Sequence, residues 1–154
     1  MTPTPRGPGK AETGQPPRRG RGDAPIRAVG LLGSAPVSVA EDEPLVSMLV
    51  EDELRGAGAE VLGPVPTVGD ALRLVEAAAA DGGISAAVLD INLDWRHAGP
   101  LADRLAALGV PFLFATGYGE KCDTGGHRAA PVLSKPFPPE RLVAAVEALA
   151  SPKA

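Results

Sequence analysis

The chain has 154 residues, a formal charge of −4 and a single cysteine, Cys122. That length suits one domain with a tail. No apolar run reaches the roughly eighteen residues of a membrane span, the start lacks a signal-peptide core, and one cysteine cannot close an intrachain disulfide, so a cytoplasmic, non-membrane protein is expected.

Residues 1–28 hold six basic and two acidic residues, six prolines and five glycines, leaving nine basic against seventeen acidic residues beyond them. Such a stretch has little to bury and reads as a disordered basic tail, set at residues 1–34, ahead of a folded domain at 35–154. It has no interleaved aromatics to suggest a nucleic-acid arm, and Arg21-Gly22-Asp23 reads as chance.

Regular patterning starts at Val37 to Ala40, a short apolar strand that runs into Glu41-Asp42-Glu43. Pro44 suits the first turn of a helix, with Leu45, Leu49 and Val46, Val50 at helical spacing and Gly56 and Gly58 as its end. Glu60 to Leu62 is a second strand, closed by Gly63-Pro64. Thr67 and Asp70 form a near capping box for a helix whose apolar face comes from Leu72, Val75 and the alanines to Ala80. Ile84 to Leu89 is the strongest buried strand and ends on Asp90. Leu101, Leu105 and Leu108 mark a third helix, closed by Gly109, before a strand over Val110 to Ala115. Pro131 to Leu133 gives a fifth strand and Pro139 to Ala150 a last helix. Between those two strands, Glu120 to Ala130 contains Gly125-Gly126 and no apolar stripe, so a short or irregular fourth helix is expected there. Alternation of five strands with helices implies an α/β, doubly wound parallel sheet, with its site at the carboxyl ends of the strands.

Those ends deliver a complementary set: Glu41 and Asp42 from the first strand, Asp90 from the third, Thr116 from the fourth and Lys135 from the fifth. Carboxylates gathered together repel unless a cation joins them, and all-oxygen ligands favour a hard divalent ion such as Mg²⁺. A carboxylate such as Asp90 can take a phosphoryl group, with Lys135 and Thr116 offering stabilising donors. The run Asp90-Ile91-Asn92-Leu93-Asp94 begins like a calcium loop, but Trp95 replaces the turn glycine and Leu101 the closing acid. Trp95 reads as a loop residue edging the site, with a partner contact as the other reading. His97 and His127 lack ligand spacing and read as surface histidines, and Cys122 as a bystander.

In order along the chain, VAEDEP (39–44), AAVLDINL (86–93), FATGYG (114–119) and VLSKPF (132–137) resemble the receiver domain of two-component response regulators. The resemblance implies a flavodoxin-like receiver fold with strand order 2-1-3-4-5. It makes Asp90 the phosphoacceptor and Asp42 a direct Mg²⁺ ligand, with Glu41 holding the metal through water and Asn92 adding its main-chain carbonyl. Thr116 becomes the hydroxyl that reports phosphorylation and Lys135 the phosphate-pairing lysine, followed by a cis bond to Pro136. Phe-Ala-Thr-Gly-Tyr is further similar to the "FAT GUY" subgroup of alphaproteobacterial response regulators, usually single-domain receivers. That implies a histidine kinase of the HWE or HisKA2 group as donor. The family's usual aromatic three residues before the lysine is Val132 here, so Thr116, Gly117 and Tyr118 are the switch candidates.

The leading expectation is a monomeric single-domain receiver, not an enzyme, whose output is binding to a downstream protein or relay to a phosphotransfer protein, with no DNA-binding domain. Two alternatives stay open: a phosphorylation-independent interaction module and an aspartyl-nucleophile phosphohydrolase. Against the latter, Asn92 stands where a general acid would be needed.

Overall fold

The computed structural model describes residues 32–117 and 124–151. Five parallel strands make the central sheet: β1 (Pro36–Ala40), β2 (Glu60–Val65), β3 (Ala86–Leu89), β6 (Phe112–Thr116) and β7 (Val132–Ser134), in the order β2-β1-β3-β6-β7. Among the described residues four helices cross between or follow them: α1 (Pro44–Gly56), α2 (Val68–Ala80), α3 (Gly99–Ala107) and α4 (Pro139–Ala150). Counted along the main sheet alone, this is the expected 2-1-3-4-5 order. Helices α1 and α4 pack on one face of the sheet and α2 and α3 on the other, as right-handed crossovers require.

Each face has its own core. Val50 and Leu54 of α1 and Leu142 and Val146 of α4 pack with Val37, Val39, Val88 and Leu113. Val75 of α2 and Leu101 and Leu105 of α3 pack with Leu89, Ile91 and Phe114. The inner strands are buried on both sides, as parallel strands require: β3 and β6 have no exposed residue.

Helix ends follow local chemistry. Pro44 opens α1, where its missing N–H costs no helical bond. Thr67 caps α2 by accepting from the Asp70 amide at 3.1 Å, while the Asp70 carboxylate pairs with Arg73. Of the two apolar pairs expected on α1, Val46 and Val50 face the sheet together with Leu54, while Leu45 and Leu49 are exposed, as is Met48. Ala77, Ala79 and Ala80 of α2 are exposed too, and serve as helix formers more than as core.

Two departures from the sequence reading concern strands. β2 continues through Gly63-Pro64 to Val65, because a bulge absorbs the extra residue: Ser38 pairs with Leu62, and Ala40 with Val65. The Gly63–Pro64 bond is cis, as is Lys135–Pro136. Gly63 has φ +106, and a Cβ there would sit 2.7 Å from the Val39 carbonyl oxygen, so no other residue fits. The second departure is an antiparallel hairpin directly after Asp90, formed by β4 (Asn92–Leu93) and β5 (Arg96–His97). Its turn residues Asp94 and Trp95 have φ of +50 and +69, the signature of a type I′ turn. A tryptophan in that left-handed region costs about 1 kcal/mol that a glycine would not. Among the described residues between β6 and β7, 124–130 hold turns and no helix, in keeping with the expected irregular connection. Of the tail expected at 1–34, residues 1–31 lie outside the described residues, as do Tyr118 and Cys122. Residues 32–34 instead join the domain, with Leu32 buried in the α1–α4 core and its amide bonded to the Ala57 carbonyl at 3.0 Å.

Candidate functional site

The carboxyl ends of β1, β3 and β7 converge on one open cleft of about 710 Å³, lined by Asp42, Glu43, Asp90, Asn92, Asp94, Trp95, Gly117 and Lys135. Asp90 follows β3, its amide bonded to the Ala40 carbonyl at 3.0 Å, which fixes the acid beside the end of β1. Lys135 follows β7, and its amide bonds the Thr116 carbonyl at 2.8 Å. Its ammonium lies 3.2 Å from Asp90 Oδ2, 3.1 Å from Glu41 Oε1 and 2.7 Å from Glu43 Oε1. One lysine thus bridges three carboxylates drawn from two strands.

Glu41 is 3% exposed and sits beneath the cleft, and its Oε2 also accepts from the Glu43 amide at 3.2 Å. Burial, reinforced by the negative charge of Asp90, raises the Glu41 carboxyl from 4.5 to about 7, against the opposing pull of Lys135. For Lys135, burial pulls the ammonium down. The hydrogen bond to Glu43 and the charges of Glu41 and Asp90 outweigh it and hold the group above the ordinary lysine value.

The donor set suits a hard cation. Carboxylate oxygens of Glu41, Asp42 and Asp90 come within 4.8 Å of one another. Three oxygen donors against one ammonium leave the cleft with surplus negative charge. A Mg²⁺ ion that takes one or two carboxylates plus water and phosphoryl oxygens fits that arrangement. Asp42 would be a ligand on the open side, and its Oδ2 already accepts from the Asp94 amide at 2.9 Å.

The sequence-nominated residues do not all reach the cleft surface. Asp42, Asp90, Asn92, Gly117 and Lys135 line it; Glu41 lies below it in contact with Lys135. Thr116 is fully buried at the end of β6, paired in register with Ser134, and the cleft wall at that point is Gly117. Tyr118 lies outside the described residues. Val132 is half-buried on β7, packed against the α2–α3 core.

Sequence reasoning missed Glu43 and Asp94. Glu43 is the nearest partner of Lys135, and Asp94 holds Asp42 through its amide. The only available signal was the third acid in Glu41-Asp42-Glu43. The histidines are also less peripheral than expected. His127 places Nε2 2.7 Å from Asp103 Oδ1 and its ring edge-on to Phe112, which ties the 124–130 segment to α3 and β6. His97 accepts from the Gly99 amide at 2.9 Å, and a Cβ on Gly125 would meet the same ring at 3.4 Å.

No family model matches the chain. Solved structures do. The chain is 41% identical to SdrG from Sphingomonas melonis Fr1, covering 76% of this chain and 97% of that one with a TM-score of 0.65. It is 31% identical to the receiver (REC) domain of the response regulator PhyR from Erythrobacter litoralis, covering 81% and 99% with a TM-score of 0.64. Among curated proteins, the phyllosphere-induced regulator PhyR of Methylorubrum extorquens is 32% identical over 114 residues. That match takes in 71% of this chain, and the chain spans only 41% of the relative's length.

Proposed function

The chain belongs to the receiver domains of response regulators, and from that premise we propose that Asp90 accepts a phosphoryl group from a histidine kinase and that the modified surface then binds a partner protein or passes the phosphoryl group on. The observation that carries this reading is the contact of Lys135 with Asp90, Glu41 and Glu43 at the mouth of an acidic cleft. In the transfer, an Asp90 carboxylate oxygen forms the new bond to phosphorus. The phosphorus–nitrogen bond of the donor phosphohistidine breaks, and the imidazole nitrogen leaves with the electron pair and takes up a proton.

The residues of the chain divide this work. Asp90 is 8% exposed, accessible enough for in-line approach yet held by its backbone against β1. Lys135 meets the charge that develops on the phosphoryl oxygens, and Gly117 leaves space for them beside the cleft. Asp42 and Asp90, with Glu41 through water and the Asn92 carbonyl, would hold Mg²⁺, which neutralises phosphoryl charge. Thr116 would donate its hydroxyl to the transferred group. The Phe-Ala-Thr-Gly-Tyr run favours the "FAT GUY" subgroup and a donor kinase of the HWE or HisKA2 type.

The test is incubation with acetyl phosphate and Mg²⁺, followed by intact-mass measurement. One stable phosphoryl adduct in the wild type and none in Asp90→Ala is expected. Absence of the adduct in the wild type would leave a phosphorylation-independent interaction module. Multiple turnover of added phosphoesters would point to a hydrolase.

A further inference from the structure

Trp95 is the chain's only tryptophan, and it is 97% exposed. It stands in a left-handed turn position that suits glycine, so neither burial nor backbone geometry within the described chain accounts for it. It also edges the cleft that contains Asp42, Asp90 and Lys135. The hairpin that carries it is anchored at both ends. Leu93 is fully buried, the Asp94 amide is bonded to Asp42, and the Ala98 amide is bonded to the Ile91 carbonyl at 2.7 Å. An indole that the fold leaves in water is therefore held out on a fixed arm beside the reactive carboxylate.

We propose that Trp95 is a specificity-determining residue for phosphotransfer, its indole packing against the protein segment that presents the phosphohistidine to Asp90. The inference rests on the reading of Asp90 as phosphoacceptor. Charge selects the occupant. The rim beside Trp95 is net acidic: Asp42, Glu43, Asp90 and Asp94 outnumber Lys135 in the cleft and the exposed Arg96 next to Trp95. A second copy of the chain would bring the same acids against themselves, and nucleic acid or an anionic lipid surface would be repelled as well. A donor helix with basic residues around its histidine is attracted, and an indole face accepts both its apolar side chains and a Lys or Arg. The other exposed large hydrophobics among the described residues, Leu45, Met48 and Leu49, lie on the opening turns of α1, which starts two residues after Asp42. A rigid aromatic on a pre-formed arm loses little entropy on contact, which is what an encounter surface needs.

The experiment compares donors. Each histidine kinase of the organism that encodes the chain is autophosphorylated and mixed with the full chain, with acetyl phosphate as the small donor. Trp95→Gly removes the ring and relaxes the turn; Trp95→Phe keeps a ring. For the kinase that labels wild type fastest, the Gly variant should raise KM about tenfold with kcat little altered, as loss of an aromatic contact made before the chemistry would. Its kinase rate relative to its acetyl phosphate rate should fall by the same factor, and the Phe variant should recover most of the loss. A melting temperature at or above that of wild type for the Gly variant separates lost contact from lost fold. A Gly variant with the wild-type KM for the kinase overturns the proposal. Wild-type labelling by acetyl phosphate but by no kinase overturns it while the phosphoacceptor reading stands. Labelling by neither donor takes down both.

Discussion

Lys135 brings one positive charge to a place that Glu41, Asp42, Glu43 and Asp90 fill with carboxylates. Glu41 bears the imbalance because it is the most buried of them, and its carboxyl is raised from 4.5 to about 7. A carboxyl with a raised folded-state pKa holds its proton more tightly folded than unfolded, so folding takes up a proton between pH 4.5 and about 7. The metal-free protein should be most stable, as far as this group is concerned, below pH 4.5. It should lose on the order of 3 kcal/mol as the pH rises through 7. Urea titrations with a chelator present, at pH 5 and pH 8, measure the difference; Glu41→Gln should flatten it, and an unchanged slope in that variant would contradict the assignment. Asp42, Asp90 and Lys135 were legible in the sequence because parallel strands bring their carboxyl ends together whatever the intervening loops do. Glu43 and Asp94 were not. Their contacts join residues 92 and 52 positions apart, with no local pattern to announce them.

At the scale of elements, the β4–β5 hairpin is the part that sequence patterning hid. Hairpin turns advertise themselves by Asn-Gly or Asp-Gly, and Asp94-Trp95 has neither glycine nor flanking alternation long enough to read. The continuation of β2 past Gly63-Pro64 was hidden for a similar reason, since a glycine–proline pair usually ends a strand and here sits in a bulge. The hairpin touches the cleft at one end, through the Asp94 amide on Asp42, and at the other its His97 ring lies near Gly125, where an added Cβ would meet it at 3.4 Å. Val132 has no aromatic ring to move, and coupling of the cleft to the β6–β7 connection through this hairpin is the expectation to test. On addition of Mg²⁺ and beryllofluoride, a phosphoryl mimic, amide exchange at Gly125 and Gly126 should slow about tenfold together with that at Asp94. His97→Ala should keep the Asp94 response and lose that of the glycines. Hydrogen exchange followed by NMR decides it, and unchanged glycine amides in the wild type would show that the hairpin does not couple the two ends.

For the whole molecule, the four helices and five main strands among the described residues were readable because apolar runs or helical spacing, punctuated by proline, glycine or a cap, announce where each lies, even where the buried face of α1 and the end of β2 were not announced. The domain they build gathers Glu41, Asp42, Glu43, Asp90 and Asp94 at the carboxyl end of the sheet, and that has a global effect on stability. A cation that binds the folded cleft and not the unfolded chain stabilises the entire domain, by about 2.7 kcal/mol at one hundred times its dissociation constant. Thermal melts with increasing Mg²⁺ should rise accordingly, and Asp42→Asn should remove most of the gain; a rise of equal size in that variant would place the ion elsewhere. A protein with one tryptophan emits from one place. Here that place is the water-facing edge of the cleft, bonded through its turn neighbour to Asp42. Indole fluorescence therefore comes with no background from the core, and would report cation or phosphoryl loading of the cleft without any added label.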